Sequence, residues 1–322
     1  MTRWGILATG HIATKFVEDL RLLPDADVVA VGSRSADAAR LFADKHGIPR
    51  AYGSWREFAA DPEIDVVYVA IPHSAHHAAT LTCLAAGRAV LCEKPFTLDR
   101  ASSAELIETA RARGVFLMEA MWMRCNPLVL QVVKLIADGA IGAVTTVQAD
   151  FGAAGPFAPE SRMRARELGG GALLDLGVYP IGLAHLLLGV PDEVRSWAKI
   201  SPEGVDENTG VILGYDSGAV ASLTCGIIGA TPMTATITGT AGRIELPAPF
   251  FRPDHITLFR GAAAPEVLLA EQEGSGYQYE AAEVQRCLTE GLLESPLVPH
   301  TATLEVMTLL DTIRTQIGVT YP

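Results

Sequence analysis

Basic side chains are scarce in this sequence. Twenty-five lysines and arginines face 37 aspartates and glutamates, giving a net charge of -12 at pH 7 over 322 residues. Nucleic acid and anionic membranes both select a basic surface, so neither is an expected partner. Cysteines are few and scattered: Cys83, Cys92, Cys125, Cys225 and Cys287 are odd in number and mostly flanked by apolar residues. That spacing resembles no zinc site, so no metal is expected, and it reads as buried reduced thiols in a cytoplasmic protein. No signal-peptide apolar region is expected either, because Met1-Thr2-Arg3-Trp4 reads as running straight into a strand, and no apolar run is expected to span a bilayer. Internal repeats and low-complexity tracts are not seen. What is abundant is apolar surface: 49% hydrophobic against 19% charged residues suits sizeable cores, and the length suits about two domains. These features fit an enzyme of small molecules.

The stretch Ala89-Val90-Leu91-Cys92-Glu93-Lys94-Pro95 organises the first half. Four apolar residues bounded by Gly87-Arg88 and Pro95 predict a short parallel strand covered on both faces. Such strands deliver the residues after them to the carboxyl edge of the sheet, where open α/β folds bind ligands. Lys94 is thus a candidate for chemistry, with an exposed Glu-Lys ion pair as the plainer account. Pro95 narrows the choice by holding Lys94 out of helical geometry.

Trp4-Gly5-Ile6-Leu7 predicts a first strand, and a helix comes next, through about Leu23. Ala8-Thr9-Gly10-His11-Ile12-Ala13 lies between them in the strand, turn and helix context of a dinucleotide fingerprint, with Ala8 in place of the first glycine. Gly10 would let the backbone approach a pyrophosphate, whose charge a helix amino terminus favours. The next strand, Val28 to Gly32, ends at Ser33-Arg34 without the acidic residue that would hold a ribose 2′-hydroxyl. A hydroxyl and a guanidinium suit a 2′-phosphate, so the cofactor expected is NADP(H) and not NAD(H). Arg34 as the start of a solvated helix is the alternative. Strand Val66 to Ile71 leads through Pro72-His73-Ser74-Ala75-His76 into a helix. His73 and His76 fall where a nicotinamide ribose would lie, and for His73 a helix-capping role is equally open. A helix over 99–113 and a strand from Val115 to Met118 complete an alternation that ends near residue 122. The expected organisation is a dinucleotide-binding domain over 1–122 and a second domain over 123–322.

In the second half, segments 143–152, 193–200, 209–216, 219–228, 233–239, 242–246 and 255–260 alternate or run β-branched. They predict a mostly antiparallel sheet with one open face, against which a second subunit could pack. Before most of them lies Gly169-Gly170-Gly171, entering a helix that is apolar nearly all round to Leu188. The glycines mark a close backbone approach. Asp175 and Tyr179 stand at i and i+4 on that helix, and Pro180 should bend it. A carboxylate and a phenol on a buried apolar helix are costly unless satisfied, either by a ligand or by each other. His185 reads as a packed core histidine.

Together these residues resemble the glucose-fructose oxidoreductase / inositol dehydrogenase (Gfo/Idh/MocA) family. The likeness rests on Trp4 to Leu7, His46 to Ser54, Cys83 to Gly87 leading to Glu93-Lys94-Pro95, Phe116 to Trp122, Gly169 to Tyr179 and the tail Ile317 to Pro322. It covers essentially the whole chain and is strongest to the branch of dimeric dihydrodiol dehydrogenases, also described as NADP-dependent D-xylose 1-dehydrogenases. The resemblance implies a Rossmann domain, an α+β domain with a large open-faced sheet, and a homodimer formed through those sheets. It gives Lys94 the place of the catalytic-motif lysine, and Tyr179 the acid/base place that many members fill with histidine. Ser33-Arg34 is similar to the branch's NADP-selecting pair, which likewise lacks the glycine replaced here by Ala8.

The expected reaction is hydride transfer between nicotinamide C4 and a carbinol carbon of a sugar, cyclic diol or related polyol, with Tyr179 moving the hydroxyl proton. A free phenol has a pKa near 10, and a nearby Lys94 ammonium would lower it. Asp175 would hold a neighbouring hydroxyl, while Trp122, Arg124 and Phe151 would line the pocket. Cofactor contacts are expected from Ala8, Thr9, Gly10, His11, Ile12, Ser33, Arg34, Ile71, Pro72, His73, His76, Glu93 and Lys94. The alternative is a non-catalytic NADP(H)-binding sensor, which has no need to keep both Lys94 and Tyr179.

Overall fold

The computed structural model describes residues 1–271 and 273–322. The chain forms two compact units, one of Met1–Cys125 with Gln272–Leu304 and one of Asn126–Glu271 with Glu305–Pro322.

The first unit alternates strand and helix as the apolar runs require. Its elements are β1 (Thr2–Leu7), α1 (His11–Leu20), β2 (Ala26–Gly32), α2 (Ala36–His46), β3 (Arg50–Tyr52), α3 (Trp55–Ala60), β4 (Val66–Val69), α4 (His76–Ala85), β5 (Ala89–Glu93), α5 (Arg100–Arg113) and β6 (Leu117–Ala120). The strands pair in parallel in the order β3-β2-β1-β4-β5-β6. Every residue of β4 and β5 is buried, which is why both read as unbroken apolar runs. Helix ends obey the capping residues. Ser35 accepts the Ala38 amide to start α2, Asp99 accepts the Ser102 amide to start α5, and left-handed Gly47 and Gly114 stop the same helices. Helix α1 ends at Leu20, short of Leu23, and the nearby Pro24 disfavours continuation. Strand β6 begins two residues beyond the predicted start. The later segment contributes α8 (Gln278–Thr289), and the buried Asp19 of α1 accepts the backbone amides of Ser275 and Tyr277.

The second unit holds α6 (Pro127–Ala137), β7 (Val144–Gly152), α7 (Val178–Leu188), β8 (Glu193–Ile200), β9 (Asp206–Gly214), β10 (Val220–Gly226), β11 (Ala235–Gly239), β12 (Gly242–Leu246), β13 (His255–Arg260) and β14 (Glu266–Leu269). Most of α9 (His300–Ile317) belongs here as well. The sheet order is β14-β13-β12-β11-β7-β10-β9-β8, and every pair except β7 with β10 is antiparallel. One face packs inward through Thr209, Val211, Leu213, Ala221, Leu223 and Cys225. The other points out with Ile212, Val220 and Thr224, so the two alternating apolar sets of β10 have different fates. Short, exposed β14 lies outside the strands that the sequence pattern predicts.

The glycine run enters a π-helical turn, Leu173–Gly177, which passes directly into α7. Pro180 therefore sits in the first turn of an α-helix, where a missing N–H costs least. By composition the helical stretch 166–188 is long and apolar enough to cross a bilayer, at mean hydropathy 1.6, contrary to the expectation that no such run exists. Yet 83% of its most apolar window is buried inside the protein, as in a core helix. All five cysteines are buried free thiols, as their apolar flanks imply.

Candidate active site

In the first unit, parallel pairing brings the carboxyl ends of β1, β2, β4 and β5 to one edge of the sheet, and with them the loops that carry the cofactor candidates. Ala8 is buried, Thr9 and Ile12 are half-buried, and Gly10 and His11 are exposed. Gly10 is the N-cap of α1 and, among the described residues, no side chain caps the helix and a Cβ placed on Gly10 would meet nothing within 4 Å. Uncapped first-turn amides facing open space fit a pyrophosphate. At the end of β2, Arg34 is exposed and Ser33 half-buried, the Ser33 hydroxyl accepting the Ser35 amide at 3.3 Å. These features fit a nicotinamide dinucleotide.

The β4 and β5 ends are tied together by His76, which opens α4. Its Nδ1 lies 3.0 Å from the Pro95 carbonyl and its Nε2 2.8 Å from the Ile71 carbonyl. Two carbonyls suit an imidazolium, but complete burial wins and lowers His76 to about 4, with the charge of His73 adding to it. His73 is buried with its ring edge-on to His76, while Ile71 and Pro72 are half-buried. Lys94 is half-buried at the end of β5. Both oxygens of Glu93 are engaged within the protein, Oε1 by the Tyr68 hydroxyl and Oε2 by the Lys94 amide at 3.1 Å. Burial raises Glu93 above the usual carboxylate range although the Lys94 charge and the Tyr68 hydroxyl pull the other way.

Two further carboxyls share this interior. Glu119 accepts from the Thr303 hydroxyl at 2.8 Å, and burial pushes it up to about 7. Glu280 of α8 is completely buried, with neither oxygen hydrogen-bonded among the described residues; burial first, then the charge of Glu93, holds it far above the ordinary range. Trp122 and Arg124 are both buried, and Trp122 stacks on Tyr277 with ring centroids 4.7 Å apart.

In the second unit, Tyr179 and Phe151 come together with a residue that sequence reasoning missed. Phe251, between β12 and β13, stacks on Phe151 at 4.8 Å and lies 4.7 Å from the Tyr179 ring, with Phe151 and Tyr179 5.6 Å apart. Asp175, in the π-helical turn, pairs with Arg162 at 3.1 Å; Asp175 is buried and the arginine side chain largely exposed. The close approach marked by the glycines is to the protein itself. A Cβ on Gly171 would meet Asp206 Oδ1 at 2.3 Å, and one on Gly170 the Ala165 carbonyl oxygen at 2.9 Å. His185 is buried and bonds Glu305 at 2.8 Å. Arg162 and Phe251 lie in loops with no periodic pattern, so only the adjacent aromatic pair Phe250-Phe251 could have drawn notice.

A six-stranded parallel sheet with an open helix terminus at the first turn, joined to an α+β unit with a large open sheet, defines a Rossmann-type oxidoreductase. Residues 2–121 match the model described as oxidoreductase family, NAD-binding Rossmann fold, and residues 129–245 match the GFO/IDH/MocA C-terminal domain. The chain belongs to the Gfo/Idh/MocA oxidoreductase family, as its motifs implied. It is 37% identical to trans-1,2-dihydrobenzene-1,2-diol dehydrogenase of Bos taurus over 330 residues, covering 99% of this chain and 98% of that one. The Homo sapiens protein of the same name is 36% identical over the same length, with the same coverage. Among solved structures, KijD10, a 3-ketoreductase from Actinomadura kijaniata in complex with NADP and TDP-benzene, superimposes with a TM-score of 0.88 at 28% identity, covering 98% of each chain.

Proposed function

We propose that this protein is an NADP(H)-dependent dehydrogenase or reductase acting on the CH–OH or carbonyl group of a small cyclic diol, sugar or related polyol. The observation that carries the reading is Lys94, half-buried at the carboxyl edge of a nucleotide-type sheet whose first helix terminus is open. Full-length likeness to dihydrodiol dehydrogenases, and to a ketoreductase described with NADP, supports the same reaction class. Bound NADP(H) supplies the hydride acceptor or donor at nicotinamide C4. The chain's residues do the rest. Ala8 to Ile12 and the first-turn amides of α1 receive the pyrophosphate, while Ser33 and Arg34 hold the 2′-phosphate that distinguishes NADP from NAD. Ile71 to His76, Glu93 and Lys94 frame the nicotinamide end. Tyr179 moves the proton of the substrate hydroxyl, with Lys94 favouring its ionised form. Asp175 orients a neighbouring hydroxyl, and Phe151, Trp122 and Arg124 contribute to substrate binding. Oxidation removes a hydride and a proton from the carbinol, and reduction returns both.

The working form is a homodimer built through the open sheet face, and the buried thiols suit the reducing cytoplasm. The test is tryptophan quenching by NADPH and NADH, then an absorbance screen of dihydrodiols, aldoses and dicarbonyls. At least roughly tenfold tighter NADPH binding, with turnover of any of them, upholds the proposal. Failure of both cofactors to bind sinks it, and tight binding without turnover would point to a sensor.

A further inference from the structure

Tyr68 of β4 is completely buried, and no step of the proposed reaction uses it. Its neighbours on the strand, Val66, Val67 and Val69, are all aliphatic. A phenylalanine would place the same ring against Phe16 of α1, where the two rings stack with centroids 3.7 Å apart and planes 14° apart, and would bury no polar group. The hydroxyl therefore needs a separate reason, and its partner supplies one. It donates to Oε1 of Glu93, whose Oε2 accepts the backbone amide of Lys94. A buried carboxylate is strongly directional when each oxygen has one donor, so fixing Glu93 fixes the backbone at the residue where β5 ends. Burial and the Glu93 charge keep the phenol in its donating form. Glu280, the nearby buried carboxyl, takes no part in these bonds.

We propose that Tyr68 is a positioning residue for Lys94: acting through Glu93 it fixes the backbone from which the lysine side chain springs, and through Phe16 it ties that point to the helix facing the dinucleotide. The inference deepens the proposed hydride-transfer reading, since it gives Lys94 a fixed origin for its part in that reaction.

Hydrogen exchange of the full-length protein tests the tether without any substrate. Tyr68→Phe keeps the ring stack and removes only the hydroxyl. Exchange at the Lys94 amide should quicken about tenfold, the consequence of freeing a buried charge-assisted bond, while β1 and the second unit stay unchanged. Glu280→Gln, a control outside the relay, should leave that amide as it was. In turnover, Tyr68→Phe should lower kcat about tenfold with substrate KM and NADPH affinity within about twofold. Adding Tyr68→Phe to Glu93→Gln should cost nothing further, because the hydroxyl acts only through the carboxylate. Unchanged exchange at Lys94 overturns the proposal, as does faster exchange with unaltered kcat. Faster exchange in a protein that turns over no substrate upholds the tether and counts against the dehydrogenase reading.

Discussion

The Tyr179 ring lies 4.7 Å from that of Phe251, tilted by 33°. Phe251 in turn stacks on Phe151, so the three rings close on one another and packing sets the plane of the phenol. A side chain held this way can lose its hydroxyl without losing its place.

Tyr179→Phe should therefore fold as the parent does and bind NADPH with unchanged affinity. Its kcat should fall by about 10² to 10⁴, the range that a general acid or base contributes. Stopped-flow absorbance at the nicotinamide band reads hydride transfer directly, and retained turnover would remove Tyr179 from the reaction.

Arg34 is exposed at the end of β2 beside Ser33, in a loop with no carboxylate to hold a ribose 2′-hydroxyl. Arg34→Ala should weaken NADPH binding by about tenfold or more while changing NADH binding by less than about twofold, since only the former presents a charge for the guanidinium. Parallel fluorescence titrations decide it. Equal losses for the two cofactors would mean that Arg34 does not read the 2′-phosphate.

Much of this was legible in the sequence, for local reasons. Strands β4 and β5 are buried on both faces, so their apolar runs are unbroken; α2 and α5 carry their caps at both ends. Tyr179 stood out as a phenol on an otherwise apolar helix. The partners were not legible. Nothing in Gly171 points to Asp206, nor in Asp19 to Ser275, because such pairs are made by the fold and leave no local period. The π-helical turn before Pro180 escaped for a related reason: i,i+4 reasoning assumes a regular helix.

Trp197 on β8 is 73% exposed, opposite Gly210 of β9, on a sheet face that also shows Ile212 and Val220. Exposed aromatic surface flanked by aliphatics commonly marks a protein interface. If two copies join through this face, Trp197→Glu should convert a dimer to a monomer at micromolar concentration by light scattering. A parent protein that is already monomeric would refute the arrangement.

Glu119 links stability to pH with a definite sign. Its folded pKa is raised to about 7 from an ordinary 4.5, chiefly by burial, so between those values the folded protein keeps a proton that the unfolded chain has released. The resulting stability is complete below pH 4.5 and is lost as pH rises through 7, a change of about 3 kcal/mol for a shift of this size. Glu119→Gln, which remains neutral throughout, should show a smaller decline in urea midpoint from pH 5 to 8 than the parent. Parallel declines would place the titration elsewhere.

Gly171 supplies a steric test at the entry to the π-helical turn. Its φ of +112° is a conformation that side-chain-bearing residues rarely adopt, and an added Cβ would meet Asp206 Oδ1 at 2.3 Å. Asp206 cannot yield cheaply, because its other oxygen accepts both the Leu173 amide at 2.8 Å and the Thr209 hydroxyl at 2.6 Å within a buried site. Those bonds hold the start of the turn that carries Asp175 and leads to Tyr179. Gly171→Ala should thus combine backbone strain with a displaced buried carboxyl, destabilising by about 2–4 kcal/mol and lowering the urea midpoint. The folded fraction should also lose kcat, because α7, which bears the phenol, would begin from a shifted π-helical turn. An unchanged midpoint would show that the chain relaxes around Asp206; a lowered midpoint with full kcat per folded molecule would confine Gly171 to stability and leave Tyr179 positioned by the ring trio alone.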